Sequence, residues 1–389
     1  GGERPWRMIA VFVAKTVRTF CYGFLGVILP IYLSELGLGV VGIGVALTLT
    51  LAGSAALTWA VRRPAERYGG QTVLLGLGGL SILSAGLFLL TLNPWLVILA
   101  AMIGNVAVGG GETGPFLAVE QVVVARGVAP RRLTLALSLY NLVGYVAGAL
   151  GAALVGFVPA YRPLFVVFLI GSGLQCLAYG RLAAPRPASR NHAPTELPSA
   201  PLIYRLAALF ALDSFAGGFV LQSLVAYFLH ARYGLGLDTL GRVFFVTQLL
   251  SAASFLLAER IARRFGLLHT AVFTHLISNV LLVAIASAPT AGLAIALLWA
   301  RHLLSQMDVP TRQAYVMSVV DDHEREAASS LTNLARTIAQ ATTPAVTGWV
   351  MQAVALSAPF VLGGGLKIVY DLLLFFMFRG VKPRASRAS

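Results

Sequence analysis

The chain has 389 residues, 58% of them hydrophobic and 11% charged, with a mean hydropathy of +0.81. In water such a chain would expose apolar patches large enough to aggregate, so a soluble domain is excluded and lipid is the solvent its apolar faces require. The formal net charge of +14 would point a soluble protein to nucleic acid, but here the basic residues stand in short segments between apolar runs, where they set topology and no nucleic-acid partner is expected.

Twelve apolar runs are long enough to cross about 30 Å of hydrocarbon as helices. They are 8–33, 41–61, 72–92, 95–124, 133–158, 163–183, 203–229, 238–258, 267–288, 291–319, 327–353 and 358–379. The expected fold class is an all-α membrane protein with twelve transmembrane helices. Of the 29 basic residues, twenty-one fall on one side of these runs and three, Arg162, Arg232 and Arg242, on the other. Basic residues accumulate on the cytoplasmic side of bilayer proteins. Both termini are therefore expected in the cytoplasm, with the protein in the inner (cytoplasmic) membrane as a multi-pass monomer surrounded by lipid.

An ionisable residue inside a span is costly, and is a functional candidate by default. In the first run Arg18 stands eleven residues from Arg7, which at 1.5 Å per residue is roughly 16 Å deep, near the midplane. Lys15 shares its face and either joins the same interior or snorkels back to the cytoplasm. After the second run comes RRPAERYG, Arg62–Gly69, in which Gly69 permits a tight turn and Glu66 and Arg67 are placed to latch helices through ion pairs. The fourth run contains GGGETGPFLAVEQ, Gly109–Gln121. Its glycines and Pro115 weaken the helix, which is tolerated at membrane depth only beside protein or a watery cavity, so Glu112 is expected to face inward and Glu120 to lie nearer the surface. Gly144, Gly148 and Gly151 in the fifth run are spaced for close helix packing.

In the second half of the chain, Asp213 in the seventh run and Arg301 in the tenth both stand near the midplane. The segment QMDVPTRQAYV, Gln306–Val316, carries Asp308, Pro310 and Arg312 and reads as a hinge or gate, because proline frees a backbone carbonyl there. His275 and His302 read as packing residues, and Lys367 with Asp371 as a self-neutralising i,i+4 pair. Cys21 and Cys176 lie in apolar runs and offer neither a disulfide framework nor a metal-ligand spacing. The sequence shows no catalytic Cys/His arrangement, metal cluster or phosphate loop, so an enzyme is not expected.

An internal repeat organises these runs. Gly37, Gly39, Gly44 and Gly69 recur 197 positions later as Gly234, Gly236, Gly241 and Gly266, and RRPAERYG is echoed by ERIARRFG. A second echo relates SLYNL, Ser138–Leu142, to SLTNL, Ser330–Leu334. Residues 1–183 thus form one six-helix bundle and 203–389 a second with a short basic tail, joined by a polar cytoplasmic linker, 184–202, rich in Pro, Ala and Ser.

On these features the chain resembles the major facilitator superfamily. The loop between spans 2 and 3 carries that family's acidic residue, arginine and glycine as Glu66, Arg67 and Gly69, although the leading glycine is absent and Gly70-Gln71 replaces the usual basic pair. The resemblance implies a secondary transporter that works by alternating access around a cavity lined by spans 1, 4, 7 and 10. It gathers Arg18, Asp213, Arg301, Glu112, Lys15, Tyr22, Asn141 and Gln222 as substrate or coupling residues, and Glu66, Arg67, Gly69, Asp308, Pro310 and Arg312 as gating residues. A carboxylate, Asp213 first and Glu112 second, would bind the coupling proton; no other cofactor is implied. The implied activity is proton-coupled export, as an efflux antiporter, of a small organic molecule that is drug-like, anionic or zwitterionic. The alternatives are a lipid or lysolipid flippase and a passive uniporter.

Overall fold

The computed structural model describes residues 6–109, 114–127, 130–182, 199–320 and 325–380. Among them sixteen α-helices follow one another. They are α1 Trp6–Glu35, α2 Val40–Ala60, α3 Arg62–Tyr68, α4 Gly70–Leu90, α5 Pro94–Ile103, α6 Pro115–Gly127, α7 Pro130–Phe157 and α8 Tyr161–Gly180. The second series is α9 Ala200–Gly218, α10 Gln222–Tyr233, α11 Leu237–Phe265, α12 Leu267–Ala286, α13 Ala291–Ser305, α14 Asp308–Val319, α15 Arg325–Ala353 and α16 Ala358–Phe378. The short α3 links spans 2 and 3. The pairs α5/α6, α9/α10 and α13/α14 each complete one span, so the sixteen helices make the twelve spans.

Spans 4, 7 and 10 are therefore discontinuous, while span 1 is one helix of 30 residues. Span 4 leaves helical geometry at Gly104 and Asn105, and Asn105 has φ 51°, a left-handed conformation that asparagine tolerates better than most residues. Breaking a helix frees carbonyls and N–H groups that need partners. Tyr22 Oη donates to Gly104 O at 3.0 Å, and Ser223 N, at the start of α10, donates to Val108 O at 3.1 Å. Two uncut helix starts are capped in the ordinary way. Asn93 Oδ1 accepts from Trp95 N ahead of α5, and Thr290 Oγ1 from Leu293 N in α13.

The repeat is visible in backbone geometry. Gly69 between α3 and α4 has φ 86°, ψ 156°, and Gly266 between α11 and α12 has φ 85°, ψ 160°. Side chains rarely adopt that conformation, so the same glycine turn is required in both places. Thr50 and Thr247, also 197 apart, each donate Oγ1 to the carbonyl four residues back, at 2.8 Å.

The chain's contacts group it into two units, Gly1–Ser189 with Leu221–Gln248, and Arg190–Val220 with Leu249–Ser389. In the first unit α1 and α7 touch through glycine. A Cβ on Gly151 would lie 1.8 Å from Phe20 O, and one on Gly23 2.1 Å from Gly148 O. In the second, a Cβ on Gly363 of α16 would lie 2.9 Å from Ala216 O of α9. Lipid provides little hydrophobic drive between helices, so such close backbone approach supplies the packing.

Candidate substrate and coupling site

In the first unit Arg18 of α1 is 2% exposed and meets Glu120 of α6, which is fully buried. The pair is bidentate: Nη1 donates to Oε1 at 2.9 Å and Nη2 to Oε2 at 2.6 Å. Two tyrosines complete the carboxylate's shell. Tyr179 Oη donates to Oε1 at 2.5 Å, and Tyr140 Oη donates to Oε2. The guanidinium lies 4.6 Å above the ring of Phe116, and Lys15 Nζ stands 4.3 Å from the ring centroid of Tyr140. One carboxylate of each buried pair normally needs this density of donors, because desolvation otherwise exceeds the Coulombic gain.

In the second unit Asp213 of α9 accepts from Lys367 Nζ of α16 at 2.6 Å and from Arg312 Nη1 of α14 at 3.2 Å. Arg312 also holds Asp308, one turn away, at 2.8 Å. His275 of α12 places Nε2 3.7 Å from Asp213 Oδ1 and Nδ1 2.7 Å from Asp371 Oδ1 of α16. Asn279, one turn on in α12, donates Nδ2 to Asp371 Oδ2 at 2.8 Å. Arg336 of α15 donates Nε to Ser214 Oγ at 3.0 Å. Arg301 of α13 is different. Its Nε is buried and has no hydrogen-bond partner among the described residues.

Several expectations are corrected by this geometry. Arg18 finds its carboxylate in Glu120, within its own unit. Glu120 is not a near-surface residue but a fully buried one. Of the two positions open to Lys15, it takes the interior one and is 3% exposed. Arg312, expected as a gating residue, is 3% exposed and ion-paired with Asp308. Lys367 and Asp371 do not pair with each other, because each finds a partner on a neighbouring helix. His275 is part of the charged network and not an ordinary packing residue.

The remaining candidates are dispersed. Gln222 accepts from Gln248 Nε2 at 2.7 Å within the first unit, and Asn141 is exposed on α7. Arg67 is exposed, with its guanidinium 5.2 Å from the ring of Tyr68, and Gly69 makes the turn that follows. Glu112 and the side chains of Glu66 and Pro310 lie outside the described residues. The signal that could have found Glu120 is the repeat: Arg312 follows it by 192 positions, the offset that relates SLYNL to SLTNL.

The sequence profile of the Major Facilitator Superfamily matches residues 11–305. An uncharacterized membrane protein of Saccharomyces cerevisiae is 22% identical, with 95% of this chain and 94% of that protein aligned. Among solved structures, an auto-inhibited peptide transporter of the POT family superposes with a TM-score of 0.76 at 11% identity, covering 97% of each chain. The human organic anion transporter MFSD10 superposes with a TM-score of 0.68 at 16% identity, covering 96% of this chain and 100% of that one.

Proposed function

The chain belongs to the major facilitator superfamily, multi-pass membrane transporters that work without a cofactor and are not enzymes, and from that premise we propose that it carries a small organic substrate whose anionic group is received by Arg301. The observation behind this reading is that buried Nε without a partner. Arg18, Arg312 and Lys367 are each matched to a carboxylate. Asp213 and Asp308 act on Arg301 electrostatically, but their hydrogen bonds go to Lys367 and Arg312. A guanidinium keeps its charge, and its planar fork suits a carboxylate, sulfonate or phosphate. An acceptor brought by the substrate would satisfy donors the protein leaves unsatisfied. That MFSD10, of similar fold, is an organic anion transporter agrees with this reading.

The bundles 1–183 and 203–389 would rock about the site in alternating access. Support comes from the first unit, where Leu221–Gln248 is docked on helices of the first half. Ser223 Oγ donates to Gly26 O at 2.6 Å, and a Cβ on Gly241 would lie 2.4 Å from Gly156 N. On the charge bias, which would put the N-terminal end of α1 in the cytoplasm, this docked end would be the outer one.

A thermal-unfolding screen of the purified protein against organic anions, cations and neutral amphiphiles tests the substrate class. An anion at a hundred times its Kd should stabilise by about 2.7 kcal/mol. Stabilisation by cations or neutral lipids alone would overturn the assignment.

A further inference from the structure

Among the described carboxylates of the second unit, Asp371 is the one that no lysine or arginine holds. It is fully buried, and its hydrogen bonds come from His275 Nδ1 at 2.7 Å and Asn279 Nδ2 at 2.8 Å. Asp213 and Asp308, by contrast, are ion-paired with Lys367 and Arg312. Asp213 is thus badly placed to take a proton, while Asp371 and the imidazole are placed to share one.

We infer that His275 and Asp371 form a proton-binding site between spans 9 and 12, separate from the arginine proposed to take the substrate. This rests on the transporter reading above for its role in coupling. The pair holds one proton between Nδ1 and the carboxylate. A second proton from solvent adds to Nε2, converting imidazole to imidazolium, with no other bond broken. Nε2 faces Asp213 Oδ1 at 3.7 Å, the same oxygen that Lys367 Nζ holds at 2.6 Å. Protonation therefore makes His275 a competitor of Lys367 for Asp213. It loosens the tie between α16 and α9, a local change of the kind that biases a two-state element.

The surroundings are charged. Asp371 and Asp213 stand 2.7 Å and 3.7 Å from the two ring nitrogens, Lys367 of α16 holds Asp213, and Asp308 of α14 lies on Arg312. Arg312 of α14 is spent on two of those carboxylates. Tyr370 of α16 presents its ring edge-on to the imidazole, with centroids 5.9 Å apart. From α13, which packs along α12, Arg301 and His302 are the titratable groups.

The test is histidine-selective NMR on the full chain in detergent, with the His275 signal isolated by replacing the other five histidines with glutamine. His275 should show a titration midpoint within the range in which the protein stays folded. Asp371→Asn should lower the midpoint by about one unit or more, a tenfold weaker proton affinity. Asn279→Ala, which leaves the carboxylate in place, should move the midpoint upward. A histidine that keeps one protonation state from about pH 4.5 to 9, or a midpoint indifferent to both substitutions, overturns the proton site. The titration needs no substrate, so its failure would leave the anion reading standing, and a failed anion screen would leave the titration standing.

Discussion

Each half of the chain ties its first span to its fourth through a buried ion pair, and the polarity is inverted between them. Arg18 of span 1 holds Glu120 of span 4, whereas Asp213 of span 7 is held by Arg312 of span 10. The positions correspond: Asp213 follows Arg18 by 195 residues and Arg312 follows Glu120 by 192. What surrounds the pair differs. Gln175 and Tyr179 of span 6 correspond, at the 192 offset, to Lys367 and Asp371 of span 12. The first network is closed by neutral hydroxyls, and one carboxylate accepts everything offered. The second has extra charges of both signs, a histidine between two carboxylates, and an arginine Nε without a partner. A saturated network fixes helices in place, whereas one with spare donors and a titratable bridge has something left to bind.

If this contrast is right, substitutions should separate the two networks. Glu120→Ala strands Arg18 in the interior and should lower stability by about 3–5 kcal/mol, read from unfolding in detergent. Asp213→Asn should cost less, about 1.5–3 kcal/mol, because Arg312 keeps Asp308 and Lys367 alone loses its carboxylate. Equal losses at the two sites would break the comparison. Tyr140→Phe removes one of several donors to Glu120 and should cost about 1 kcal/mol. Asn141→Ala, next to Tyr140 but exposed, should change stability by less than about 0.5 kcal/mol.

The spans, the repeat and the special glycines were legible because they depend on local rules: hydrophobic length, loop charge, and the backbone freedom that Gly69 and Gly266 share. The pairings were not, because depth along a helix does not say which neighbour a side chain meets. Arg18 and Asp213 have similar depths, yet each is satisfied by a helix of its own unit. Glu120 looked shallow when span 4 was read as one continuous helix. That reading fails after Ile103, where residues 104–109 are not helical. Arg18 is also a long side chain tilted toward the start of α1, which brings its guanidinium toward the level of Glu120. Lys367 and Asp371 satisfy the i,i+4 rule on paper, but burial between α9 and α12 gives each a partner across a helix interface.

The central claim is that Arg301 is reserved for a substrate anion. Isothermal titration of the best-ranked anion from the screen into the wild type and Arg301→Gln tests it most directly. The expected result is a loss of affinity of tenfold or more, about 1.4 kcal/mol, with the unfolding temperature of the unliganded variant unchanged or raised. Equal affinities in the two proteins would contradict it.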